Sequence, residues 1–175
     1  MGEKSNLIYD YGFNGNEWFA IGLIVVGMAG VLLLPKRFTP METLFNLLFG
    51  VFMGLMFDHT IAVEPFDLYD VGDQAKYQLF DLFSYFMYAP FGYFFIYGCQ
   101  WLRIKHTGVL LYIIGWTVFA IAVEWIGVKM GLFHYKHGFT ILYSIPIYLF
   151  VQSLHLVLYR LIFHNVEVEK ERHAS

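Results

Sequence analysis

Residues 107–128, TGVLLYIIGWTVFAIAVEWIGV, form an apolar run whose only charged side chain is Glu124. About 20 apolar residues is the length that an α-helix needs to cross the hydrocarbon core of a membrane. Four further apolar runs accompany it, at residues 17–34, 41–63, 77–100 and 139–163. The sequence therefore predicts an all-α, polytopic transmembrane helical bundle of about five spans. Pro90 and Pro146 lie within the third and fifth runs, where proline is expected to kink the helix.

The composition of the 175-residue chain supports a membrane protein. Apolar residues make up 58% of the chain and charged residues only 14%, whereas soluble domains carry about 25% charged residues. A formal net charge of -3 without a basic run excludes nucleic acid as a partner, because phosphate binding needs clustered Lys and Arg. Five spans fill one transmembrane domain over residues 1–175, with a charged tail at 164–175, and leave no room for a sizeable soluble catalytic domain.

The distribution of Lys and Arg over the connecting segments predicts the orientation. With the N-terminus outside, the inner segments carry seven of these residues: Lys36, Arg37, Arg103, Lys105, Arg160, Lys170 and Arg172. The outer segments carry four: Lys4, Lys76, Lys129 and Lys136. Because cytoplasmic segments are enriched in Lys and Arg, this bias favours N-out and C-in for a multi-pass protein of the plasma membrane.

Four of the predicted spans carry polar or small residues at helical spacing, so that those residues share one face of each helix. The stripes are Asn46, Gly50, Gly54 and Asp58; Gln78, Asp81, Ser84, Tyr85, Tyr88 and Gly92; Thr117, Ala120, Glu124 and Gly127; and Ser144, Tyr148, Gln152, His155 and Tyr159. Polar groups are costly against lipid tails, so we expect these faces to meet inside the bundle. The step from Gly50 to Gly54 also permits a close approach between helices.

Three carboxylic acids fall at one predicted depth near the outer ends of their spans: Asp58, Asp81 and Glu124. They cannot all stay ionised and unpaired in a medium of low dielectric constant, so a proton or a cation should share the site. We therefore predict a carboxylate-lined pocket in the outer half, of a binding or transport type, that takes a cation, a proton or a small polar ligand. Its hydrogen-bonding walls are Tyr85, Tyr88, Ser144 and Tyr148.

Two other functions stay open. Acids near helix ends can reach headgroup water, and the chain would then be a structural or accessory subunit. Such a subunit would form homo- or hetero-oligomers through small-residue helix faces that include Gly50, Gly54, Gly127 and Gly131. The second alternative is an intramembrane metal-dependent hydrolase, in which a carboxylate and histidines hold a divalent cation. The candidate histidines are His59, His134 and His137. No catalytic residue is assigned, because the sequence lacks a nucleophile elbow and a phosphate-binding loop.

Three short segments carry a resemblance to a known family. They are Ser84–Pro90 (SYFMYAP), Ala122–Gly127 (AVEWIG) and Leu132–His137 (LFHYKH). Together they resemble a family of small uncharacterised multispan membrane proteins of Bacillus-like and Clostridium-like bacteria. Glu124, Tyr135 and His137 match the pattern best. The resemblance implies a bacterial plasma-membrane protein with a handful of helices, and it implies no reaction.

Overall fold

The structure is a computed structural model that describes residues 8–9, 12–73 and 79–174, with side chains described for all of these except 79–81 and 164–174. Most of the described chain is helical. The helices are α1 (Gly15–Leu33), α2 (Pro40–Asp58), α3 (Leu79–Ser84), α4 (Ala89–Trp101), α5 (Thr107–Lys129) and α6 (Ser144–Ala174). Two 3-10 turns cover Tyr85–Tyr88 and Ile141–Tyr143, and two short strands, β1 (Tyr69–Val71) and β2 (Phe133–Tyr135), complete the fold.

Four helical segments of the described chain are long and apolar enough to cross a membrane: Gly15–Leu33, Pro40–Asp58, Thr107–Lys129 and Ile141–Phe163. Between 17% and 22% of each is buried inside the chain. The remaining residues are partly or fully exposed at the surface of the chain, where lipid would cover the apolar ones. This agrees with a helical membrane protein.

The third predicted span is not one helix. Residues 79–101 divide into α3, the 3-10 turn Tyr85–Tyr88 and α4. Pro90 lies in the first turn of α4, where its missing N–H is tolerated, whereas inside a continuous helix its ring would clash with the carbonyl of Phe86. The predicted break at Pro90 is therefore present. Pro146, in contrast, lies in the first turn of α6 and not in the middle of a span.

Several predicted boundaries need correction. Helix α2 ends at Asp58, not at residue 63, and His59 caps it. The fifth span begins with the 3-10 turn Ile141–Tyr143, and the helical backbone continues through the predicted charged tail to Ala174, with a non-helical Phe163 dividing it. The starts of α1 and α2 follow from capping boxes that are readable in the sequence, Asn14 with Glu17 and Thr39 with Glu42, which satisfy backbone N–H groups of the first turn.

Helix α2 packs on α4 and on the preceding 3-10 turn through glycines, as the predicted stripe requires. A Cβ added at Gly50 would lie 2.2 Å from the carbonyl oxygen of Tyr88, and one at Gly92 would lie 2.3 Å from the carbonyl oxygen of Asn46. A Cβ at Gly54 would lie 2.5 Å from the Tyr88 ring. The backbones are therefore closer than any side chain would allow.

The polar faces predicted for the last two spans are also buried. Helix α5 buries Thr117, Ala120, Glu124 and Gly127. Helix α6 buries Ser144, Gln152, His155 and Tyr159. Both helices therefore turn their polar stripes toward the protein.

A small antiparallel sheet covers one end of the bundle, which we call the sheet end. Strands β1 and β2 pair Tyr69 with Tyr135 and Asp70 with His134. Helix α2 ends shortly before β1, and α5 ends shortly before β2, so both helices finish near this sheet. These strands were not predicted, and they correct the all-α assignment.

Candidate functional site

A cavity of about 180 Å³ lies between α2, α5, α6 and the 3-10 turn Tyr85–Tyr88, and the sheet contributes to its wall. Most of its lining is aromatic or aliphatic. Its polar lining residues are Asp58, Tyr69, Tyr88, Glu124, Tyr135, Ser144, Tyr148, Gln152 and His155. Two acids, Asp58 and Glu124, therefore line the same cavity.

Glu124 is held by one of its two carboxylate oxygens. The Tyr135 hydroxyl donates a hydrogen bond of 2.6 Å to Oε1, and the Ser144 hydroxyl donates one of 2.7 Å to the same atom. The other oxygen, Oε2, is buried and has no hydrogen-bond partner, although the Tyr148 phenol also interacts with this carboxylate. Only 8% of the Glu124 side chain is exposed, so this oxygen is a desolvated acceptor whose lone pairs are unused, an arrangement that costs free energy unless a ligand fills it.

Asp58 is held in a similar way on the opposite wall. The Tyr69 hydroxyl donates a hydrogen bond of 2.5 Å to Oδ1, and the Tyr85 hydroxyl also bonds this carboxylate. Tyr88 interacts electrostatically with both Asp58 and Glu124. Its phenol is therefore close to both acids.

The two phenols that hold these acids come from a single cross-strand pair. Tyr69 and Tyr135 lie opposite each other in the sheet, and paired side chains on one face have Cβ atoms about 4.5–5.5 Å apart. Tyr69 reaches Asp58 and Tyr135 reaches Glu124. The sheet thus brings the ends of α2 and α5 together through one pair of hydroxyl groups.

Both phenols stay protonated under physiological conditions. Burial raises the pKa of Tyr69, and the charge of Asp58 adds to this effect. Burial likewise raises the pKa of Tyr135, followed by its hydrogen bond to Glu124. Each hydroxyl therefore acts as a donor to a carboxylate, because hydrogen bonding of this kind stabilises the ionised acid and the neutral phenol.

The opposite face of the sheet carries a polar cluster that ties down residues near the N-terminus. Lys136 Nζ donates hydrogen bonds of 2.6 Å to Asp67 and 2.9 Å to Asp70. The Tyr9 hydroxyl donates a bond of 2.7 Å to Asp70, and the Tyr9 ring stacks on His134 at 3.8 Å. We call Tyr9, Asp67, Asp70, His134 and Lys136 the cap cluster.

The contribution of the cap cluster to folding stability should fall at alkaline pH. Burial and Asp70 raise the pKa of Tyr9 to about 12, so the folded state retains a proton that the unfolded state releases near pH 10. The stabilisation from Tyr9 is therefore complete below about pH 10 and is lost as the pH rises to about 12. We expect the difference in Tm between the wild type and Tyr9→Phe to shrink over this interval, as measured by thermal unfolding. An equal difference at about pH 8 and at about pH 12 would contradict this assignment.

The three histidines proposed as metal ligands do not form a metal-binding group. His59 bonds the carbonyl oxygen of Leu55 through Nδ1, and His137 bonds that of Asp67. His134 stacks on Tyr9. Among the residues that the structure describes, no cluster of three or more His, Cys, Asp or Glu side chains is arranged to hold a metal ion. The geometry that a zinc-dependent hydrolase needs is thus not formed by these residues.

Three of the four glycines proposed for a partner interface, Gly50, Gly54 and Gly127, pack against other parts of the chain. Gly50 and Gly54 face Tyr88, and a Cβ at Gly127 would lie 3.0 Å from the Phe133 ring. Gly131 has a positive φ of 80°, which is typical of a glycine that ends a helix. The three packed glycines therefore serve the fold of the chain, whereas nothing lies within 4 Å of a Cβ added at Gly131.

A second polar network lies beyond the cavity, toward the opposite end of the bundle. His155 Nε2 lies 2.9 Å from Oδ1 of Asn46. One helical turn further on, the Tyr159 hydroxyl donates to Glu42 and accepts a bond of 2.8 Å from Gln100. Glu42 is fully buried. Glu42 was not among the site residues predicted from the sequence, because it lies outside the polar stripe that begins at Asn46.

The cavity contains five of the seven predicted ligand-binding residues: Asp58, Tyr88, Glu124, Ser144 and Tyr148. Tyr85 is buried behind them and bonds Asp58. Asp81 lies in α3, and its side chain is outside the described part of the structure. Tyr69 and Tyr135 were not predicted as site residues. The sequence offered one signal for Tyr135, its position in the LFHYKH segment.

No family model, curated protein or solved structure matches the chain.

Proposed function

We propose that this chain is an integral membrane protein that binds a small cation in the cavity between Asp58 and Glu124. The observation that carries the proposal is the buried Oε2 atom of Glu124, which has no hydrogen-bond partner although Glu124 is one of the residues lining this cavity. A carboxylate in a region of low dielectric constant is stable only with a counter-charge or a proton. Glu124 takes part in none of the described salt bridges, and Asp58 interacts with the charge of His59 alone, so a bound cation supplies the missing charge.

The proposed topology has five crossings. Residues 79–101 follow one almost continuous helical path through α3, the 3-10 turn and α4. At about 1.5 Å per residue, this path is long enough for a hydrocarbon core of about 30 Å. The distribution of Lys and Arg then favours a plasma-membrane protein with its N-terminus outside, so that the sheet end and the cavity face the exterior. The resemblance to small multispan proteins of Bacillus-like and Clostridium-like bacteria supports the same topology.

Cation binding should raise the thermal stability of the purified protein. Sodium, potassium and methylammonium chloride are titrated separately at constant ionic strength in detergent, and Tm is measured. We expect at least one cation to give a saturable rise, because a ligand that binds only the folded state adds about 2.7 kcal/mol at 100 times its Kd. Glu124→Gln should abolish the rise, since it removes the charge and leaves the shape nearly unchanged.

The matched control is Glu64→Gln, which removes a carboxylate from an exposed position outside the cavity. It should respond to the cation as the wild type does. The proposed function is wrong if neither these three cations nor longer alkylammonium ions stabilise the wild type saturably, or if Glu124→Gln responds as strongly as the wild type.

A further inference from the structure

We infer that the cation is a primary or secondary amine carrying an apolar body, with its ammonium group at Glu124 and its body along the apolar part of the cavity. This inference rests on the proposed function and adds the chemical class of the ligand.

The hydrogen bonding of the Glu124 carboxylate favours a ligand group that donates a hydrogen bond. Oε1 already accepts two bonds, from Tyr135 and Ser144, and Oε2 accepts none. An N–H donor satisfies this buried acceptor and supplies a positive charge at the same time. A quaternary ammonium group supplies the charge but no donor, so Oε2 would stay unsatisfied.

The donor set near Glu124 is poorly suited to a bare metal ion. Calcium takes six to eight oxygen ligands, and magnesium takes six. Here one buried oxygen of Glu124 has no partner, the neighbouring phenol of Tyr135 is already engaged as a donor, and the described residues form no group of three metal-ligating side chains. An ammonium ion needs fewer acceptors, and aromatic ring faces such as that of Tyr88 attract it further.

The cavity is too large and too apolar for an ammonium group alone to fill it. The cavity measures about 180 Å³, whereas one water molecule needs about 10–15 Å³ by a comparable measure. From Glu124 the cavity continues past Ala120 and Val151 to Phe49 and Phe95. Water in this part would find few polar partners, so an apolar ligand body is the better occupant.

The far end of the cavity offers ring surface. His155 lines it, but Nε2 of that imidazole is engaged with Asn46, and the ring stacks on Phe49 at 3.9 Å. The ligand body therefore meets a ring face there. Among the described lining residues, Asp58 and Glu124 at the sheet end are the charged groups.

An alkylammonium series tests this inference. Methyl-, butyl- and hexylammonium are titrated into the purified wild type, and Kd is obtained from the saturable rise in Tm. We expect Kd to fall by about fourfold for each added methylene while the cavity fills, which is the ratio expected for burial of one methylene. Hexyltrimethylammonium should bind at least tenfold more weakly than hexylammonium, since it cannot donate to Oε2.

Two controls separate binding in the cavity from partition into detergent. Hexanol partitions like the amine but lacks the charge, and it should give no saturable rise. Ala120→Leu fills the apolar wall one helical turn from Glu124 and should weaken hexylammonium at least tenfold while methylammonium keeps its Kd. If Ala120→Leu does not fold, Val151→Phe narrows the same part of the cavity.

The outcomes distinguish the two proposals. One contrary result is that potassium, sodium or methylammonium binds as tightly as hexylammonium and loses this binding in Glu124→Gln. That result would support cation binding and would contradict the proposal that the ligand has an apolar body. Equal Kd values for hexylammonium and hexyltrimethylammonium would overturn the N–H requirement. If no cation of either series binds, both proposals fail.

Discussion

Replacing Gly50 with alanine is expected to destabilise the bundle strongly. The new Cβ would lie 2.2 Å from the carbonyl oxygen of Tyr88 and 2.9 Å from its carbonyl carbon, and backbone atoms cannot rotate away as a side chain can. Helix α2 would have to move off the 3-10 turn Tyr85–Tyr88. Overpacking of this kind costs about 1–3 kcal/mol and occasionally more, which exceeds the gain of up to about 1 kcal/mol from replacing a helical glycine.

The measurement is the thermal unfolding midpoint in detergent, with Gly115→Ala as the matched control. Gly115 also lies within a predicted spanning helix, and nothing lies within 4 Å of a Cβ added there. This control should keep or slightly raise Tm, because alanine is the better helix former. A Gly50→Ala variant as stable as Gly115→Ala would show that α2 and α4 are not packed as closely as described.

Replacing Glu42 with alanine should have a comparably large effect on stability at the other end of the bundle. Its Oε2 atom accepts a bond of 2.7 Å from the backbone N–H of Thr39, and its other oxygen accepts from Tyr159. The Tyr159 hydroxyl would lose this acceptor in a buried region, whereas Thr39 is exposed and its N–H can find another acceptor. Each buried donor left without a partner costs about 1–3 kcal/mol.

The same variant should leave the cation site unchanged, because Glu42 does not line the cavity. Thermal unfolding of Glu42→Ala is therefore compared with that of Glu42→Gln, which keeps an acceptor oxygen and should recover part of the loss. Cation titration of whichever variant folds should give the wild-type Kd. If Glu42→Ala unfolds at the wild-type temperature, the network with Tyr159 contributes nothing to the fold.

The sequence was most informative about the helices, because their signals are local. Apolar runs of spanning length predicted all four of the long apolar helices, and the spacing of Gly50 and Gly54 predicted the close contact of α2. The third run was harder to interpret, since hydropathy does not distinguish one helix from two that meet at Pro90. The second span was predicted to continue to residue 63, which was too long. Hydropathy does not distinguish helix from turn, and the apolar residues that follow Asp58 lie in turns and bends.

The sheet and the hydrogen bonds that depend on it could not be predicted from the sequence, because strand pairing joins residues that are far apart in the chain. Nothing near Tyr69 indicates that it will pair with Tyr135, and each strand has only three residues. Helical periodicity did place Asp58 and Glu124 on inward faces at one end. It could not show that a phenol from each strand would bond each acid, nor that one oxygen of Glu124 would be left without a partner.

Tyr88 links the spacing of the helices to the shape of the cavity. Its carbonyl oxygen limits how near Gly50 can come, its ring limits the approach of Gly54, and its phenol lines the space between the two acids. Lateral compression of the bundle by the surrounding lipid is thus expected to move the Tyr88 phenol relative to the two acids. Ligand affinity should consequently depend on the thickness and chain order of the bilayer into which the protein is reconstituted.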